Sequence, residues 1–171
     1  MIQRKKHGLF IISLDFELYW GVRDHRSLEN YGHRIKSVHN VVPRLLETFS
    51  SHGIHATWAT VGFLFSESKN HLDKLAPKEK PTYSSKELSP YSFIKETQLD
   101  EQKPYYFAPQ LVQSIDQTPG QEIGSHSFSH YYALEEGQTK KQFKFDIESA
   151  QLAAKEMSIE LKSYVFARNQ M

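Results

Sequence analysis

The sequence predicts an α/β fold built on a parallel sheet, open or rolled into a barrel. Three observations point there. Residues 8–14 form a short, continuous apolar run, as in a strand covered on both faces. Runs of this kind alternate with stretches of helical periodicity, the pattern of strand–helix–strand units. The chain has 171 residues, enough for one domain (1–171) with a hydrophobic core but short of the roughly 250 of a closed (β/α)₈ barrel.

Each element has its own signal. After the 8–14 strand, residues 22–32 are polar, with Gly21 and Gly32 as turn residues, and read as a loop. Ile35, Val38, Val42, Leu45 and Phe49 then form one stripe of an amphipathic helix, with Gly53 placed to cap it. Residues 55–60 are a second strand, with a short helix starting near Val61. From 66 to 104 the chain is polar and lysine-rich, interrupted by Pro77, Pro81, Pro90 and Pro104. It reads as an excursion from the core and the place to look for substrate selectivity. Residues 108–117 predict a short helix with proline in its first turn, Pro119-Gly120 a turn, and 121–125 a strand. Thr139 and Gln142 make a capping box, opening a helix whose stripe is Phe143, Ile147, Ala150, Ala154 and Met157. Residues 163–167 are the last strand, ending at Arg168.

Charge and composition exclude several classes. With 21 basic and 20 acidic side chains the net charge is +1, so no overall field draws in nucleic acid. The absence of cysteine rules out disulfides, thiolate metal sites and a cysteine nucleophile. Arg4, Lys5 and Lys6 before the apolar run imitate a signal peptide. The run, however, ends at Asp15 without a small-residue cleavage site and is too short to span a bilayer, so the expectation is a cytoplasmic protein.

Chemistry concentrates at the strand ends. Asp15, His126 and Arg168 each stand where a strand should finish, and in parallel α/β folds those ends share the edge where active sites form. His126 and His130 are spaced to share a face on a helical turn and bind one ion. Asp15 and Glu17 alternate, so both point the same way if the strand persists. A carboxylate ending an apolar strand is costly to bury unless it is paired or metal-bound. Tyr19 and Trp20 suit either the floor of a sugar-binding cleft or core packing, and Tyr131 and Tyr132 carry the same two readings.

Ser13-Leu14-Asp15-Phe16-Glu17 and Gly124-Ser125-His126-Ser127-Phe128-Ser129-His130 together resemble the polysaccharide deacetylase (NodB-homology) family, in the branch whose first motif is D-x-D or D-x-E. Phe166-Ala167-Arg168-Asn169-Gln170 is similar to a variant of its third motif. The resemblance implies a deformed (β/α) barrel and metal-assisted removal of N-acetyl groups from a carbohydrate. Glu17, His126 and His130 would hold one divalent transition ion, Asp15 would be the general base, and Arg168 would orient Asp15. Tyr19, Trp20 and Tyr131 become the candidate sugar contacts. Zinc is the expected ion, with cobalt, nickel or iron also suited to nitrogen and oxygen ligands. Glu17 stands where the family usually has an aspartate. The family continues past its third motif to a general-acid histidine, whereas this chain ends at Met171, so the barrel is expected to be incomplete and to self-associate through exposed sheet edges. Two alternatives remain: a truncated, inactive deacetylase-like domain, and a DnaQ-like D-x-E exonuclease, which would need Asp146 or Glu148 to join Asp15 and Glu17 around two ions.

Overall fold

Three short parallel strands carry the fold: β1 (Ser13–Phe16), β2 (Ala56–Thr60) and β3 (Gln121–Ser125), hydrogen-bonded in that order. The structure is a computed structural model and describes residues 8–170. Arg4, Lys5, Lys6 and Met171 therefore lie outside the described residues. The register aligns Asp15 with Ala59 and Gly124, and Phe16 with Thr60 and Ser125, so β1 and β3 end at the same level. Among the described residues, only a parallel bridge between Ser125 and Tyr164 extends the sheet further. The expected strand over 163–167 is thus reduced to one pairing, and the described residues do not close a barrel.

The 8–14 run also corrects. Leu9, Phe10 and Ile11 are 71%, 91% and 77% exposed, and the strand begins only at Ser13. The cause lies next door. β2 starts at Ala56, and the residues before it turn out of a helix at Gly53, so they offer the upstream half of the run no ladder.

That helix, α1 (Leu28–His52), is longer than its apolar stripe. Ser27 caps it, accepting from the Asn30 amide, so the predicted 22–32 loop is half helix. Gly32, read as a turn, is an interior position against which the Tyr105 ring packs. The excursion is structured too. It holds α2 (Lys69–Leu75) and α3 (Pro90–Glu96), and Leu72, Leu75, Tyr91, Ile94 and Leu99 are buried. α4 (Pro109–Gln117) and β3 fall where the sequence places them.

α5 (Lys140–Glu156) starts at the predicted capping box, with Thr139 Oγ1 accepting from the Gln142 amide and Gln142 Oε1 from the Thr139 amide. Its buried face, however, is Gln142, Asp146, Ser149, Ala150, Ala153 and Ala154, while Phe143, Ile147 and Met157 are half-buried. The helix is rotated from its apolar stripe because its inner face meets the buried backbone amides of Phe128 and Ser129 in the loop after β3.

Candidate metal centre

The two motifs that carry Glu17 and the histidines leave the sheet at one edge. β1 ends at Phe16, and Glu17 turns out of the strand into a 3-10 turn, Leu18–Gly21. The alternation that would carry Asp15 and Glu17 together therefore stops one residue short. β3 ends at Ser125, and residues 126–130 form an irregular turn in place of the expected helical one, with Ser127 and His130 in the left-handed region at φ 64° and 56°. Such backbone persists only when its surroundings over-determine it, and here they do. The His126 amide donates to Thr60 O, the Gly62 amide to Ser127 O, and the Phe63 amide to Phe128 O. The Tyr131 amide donates to Ser127 Oγ at 2.6 Å, and the Phe128 amide to Asp146 Oδ1 at 2.7 Å.

This scaffolding gathers Glu17, His126 and His130, with one donor atom from each lying within 4.8 Å of the others. Both Nε2 atoms face the same Glu17 oxygen, at 3.5 Å from His126 and 3.0 Å from His130. A backbone carbonyl only accepts, so the 3.0 Å contact between His126 Nδ1 and Val165 O places the proton on Nδ1. In the neutral ring, Nε2 then presents a lone pair toward a carboxylate oxygen and is buried without a hydrogen-bond partner. Two electron-pair donors facing each other at this range repel unless a cation lies between them. The donor set therefore fits a divalent transition ion.

The electrostatics agree. Burial works to raise the Glu17 carboxyl, but the two imidazoles facing it, which favour the carboxylate whenever they are protonated, outweigh burial and hold it at about 2. Burial pushes the His130 imidazole below its ordinary value, against the opposing pull of Glu17. An ionised carboxylate beside a neutral imidazole is the protonation state that ligates metal.

Gly21 shapes the same site. A Cβ there would lie 1.9 Å from the Glu17 carboxyl carbon, so the carboxylate folds back over a position that only glycine leaves open. Gly21→Ala is expected to displace the Glu17 carboxylate and weaken ion binding about tenfold or more. Its melting temperature should change little, because the clash falls on the flexible end of a side chain. Isothermal titration with cobalt(II) beside a thermal melt checks both halves.

The family model described as polysaccharide deacetylase matches residues 31–168. The chain belongs to the polysaccharide deacetylase family. The match takes in His126, His130 and Arg168 and begins after Asp15 and Glu17, and it is the structure that brings Glu17 to the histidines. Neither the curated proteins nor the solved structures compared contain a match to the chain. Among the described residues, no helix is long and apolar enough to cross a membrane.

Other residues of this deacetylase domain sit differently from expectation. Asp15 is exposed and is not part of the cluster. Arg168 does not orient it; its guanidinium pairs with Asp24 and lies 4.5 Å over the Tyr132 ring. Tyr19, Trp20 and Tyr131 are in the core and not on an open cleft. Tyr19 donates to Arg26 O, Trp20 Nε1 to Tyr106 O, and the Tyr131 hydroxyl to Gln138. Apolar walls claim these rings because three aromatic neighbours lie within reach of Trp20 alone. Asp146 and Glu148, which the exonuclease reading needed near Asp15, are absent from the cluster. Asp146 is instead fully buried against the histidine turn.

Sequence reasoning missed three contributors. Tyr132 contacts His130 Nδ1 through its hydroxyl at 3.3 Å. Val165 O fixes the His126 tautomer. Asp146 is the third, and its only trace in the sequence is a polar line, Gln142, Asp146 and Ser149, at helical spacing inside an apolar helix.

Proposed function

We propose that this domain is a metal-dependent hydrolase that removes acetyl groups from an N-acetylated sugar or polysaccharide. The observation that carries the reading is the convergence of Glu17, His126 and His130 at the strand-end edge of a polysaccharide deacetylase family chain. Zinc is the ion this donor set suits first, with cobalt, nickel and iron compatible. When bound, the ion supplies Lewis acidity toward the amide carbonyl and a lower pKa for water.

The chain's own residues supply the rest. Glu17 contributes the negative charge, and the hydrogen bond to Val165 O aims the His126 Nε2 lone pair inward. Asp15, exposed two residues upstream of Glu17, is the carboxylate available to take a proton from the attacking water. Water adds to the acetyl carbon as Asp15 takes its proton, the amide C–N bond breaks, and the nitrogen leaves with that proton, giving acetate and an amino sugar. Arg168 acts at the rim by holding Asp24 and the Tyr132 ring. The excursion frames the same rim: Tyr83 Oη accepts from the Tyr132 amide, and Arg23 donates to Glu87 O and Leu88 O. Selectivity among acetylated sugars is assigned to this segment. The outer edge of β1, continued by exposed Leu9, Phe10 and Ile11, is where copies of the chain would pair.

The test is acetate release from N-acetylated oligosaccharides by protein loaded with zinc or cobalt. Release is expected from the wild type and not from His126→Ala/His130→Ala. A folded, ion-loaded protein that liberates no acetate across chitooligosaccharide, peptidoglycan and exopolysaccharide fragments overturns the reading.

A further inference from the structure

We propose that Asp146 is the positioning residue of the metal centre: from the far side of the turn, its carboxylate fixes the loop between His126 and His130 and so sets the spacing of the two imidazoles. The inference rests on reading Glu17, His126 and His130 as an ion site.

Asp146 is fully buried on α5 and has no ion-pair partner among the described residues. A lone carboxylate in such a place is expensive. Every hydrogen bond it receives comes from the histidine turn. Its Oδ1 accepts from the Phe128 amide at 2.7 Å and the Ser129 amide at 3.4 Å, and its Oδ2 accepts from the Ser129 hydroxyl. The two residues it grips lie between the ligands, and the turn has left-handed backbone at Ser127 and His130. Opposite Asp146, Gly62 and Phe63 hold the carbonyls of Ser127 and Phe128. A Cβ at Gly62 would come within 2.7 Å of Phe128 Cα, so the two backbones are in close contact on that side. The turn is clamped between β2's exit and α5, with Asp146 as the α5 jaw. Burial raises its carboxyl to about 6, and the three hydrogen bonds from the turn act against that rise.

Positioning is read first without metal, by NMR of the imidazole nitrogens, and then by cobalt(II) affinity and absorption spectrum. Asp146→Ala is expected to shift the His126 and His130 resonances and to lower cobalt(II) affinity about 10–100-fold. Asp146→Asn keeps an oxygen for the Phe128 amide and a donor for Ser129 Oγ, and should restore both readouts to near wild type. That rescue separates positioning from a general loss of stability. Should Asp146→Ala fail to fold, Ser129→Ala decides instead, with an expected loss of about threefold to tenfold. Unmoved imidazole resonances in a folded Asp146→Ala or Ser129→Ala protein, or equal losses in the Asn and Ala variants, overturn the proposal. A wild type that binds no cobalt(II) would overturn the ion-site reading alone, and the resonances would still decide Asp146.

Discussion

Glu17→Gln is expected to cost at least about a hundredfold in affinity for zinc or cobalt while leaving the fold intact. Losing a partner that merely orients a ligand already costs 10–100-fold, and here the one carboxylate of the Glu17, His126 and His130 cluster is lost. The glutamine is the same size and fits the same space over Gly21, so the change isolates charge. Two neutral imidazoles and an amide oxygen are a poor match for a divalent ion, because no ligand offsets its charge. The pH dependence of binding follows from the same groups. Glu17, held at about 2, stays ionised through the whole range in which imidazoles titrate. Acidification therefore expels the ion by protonating imidazole, and His130, which burial pushes below its ordinary value, resists that protonation further than a free imidazole would. Competition titrations against a chromogenic chelator between neutral and mildly acidic pH measure both effects. Wild-type affinity in Glu17→Gln would remove Glu17 from the centre.

What could be read in advance was local. The Gly53 cap, the Thr139–Gln142 box, the Pro119-Gly120 turn and the delivery of His126 by β3 depend on residues a few positions apart, and all stand in the structure. The readings that changed depend on tertiary neighbours. An apolar run at 8–12 is a strand only if something pairs with it, and β2 starts too late. Arg168 had several carboxylates to choose from, and the loop after the Leu18–Gly21 turn brings Asp24 to it. The stripe on α5 followed hydrophobicity, whereas the helix turned its polar line inward to reach the amides of Phe128 and Ser129. A buried polar residue that serves backbone amides from a distant loop leaves no apolar period for a sequence reading to find.

Trp20 is where core and metal centre meet, and Trp20→Ala is expected to destabilise the protein by about 3–5 kcal/mol. Its side chain is 1% exposed, with ring centroids 4.6 Å from Phe63, 5.5 Å from Tyr106 and 6.2 Å from Phe93, and Nε1 donates to Tyr106 O at 2.8 Å. Against a total stability of about 5–15 kcal/mol for a domain, that loss is a large share, so urea unfolding should show a sharply lowered midpoint. Trp20→Phe, which keeps most of the ring packing and gives up the indole donor, should fall between. A sugar-stacking tryptophan would behave in the opposite way, losing oligosaccharide affinity at unchanged stability, and that result would restore the cleft reading. The consequence reaches the ion through the backbone: the Trp20 amide donates to Glu17 O at 3.1 Å, so the ring's burial anchors the 3-10 turn on which Glu17 is mounted. Ion binding in Trp20→Ala should therefore weaken together with stability and recover when osmolyte restores the fold, whereas in Glu17→Gln no stabilising condition should bring it back.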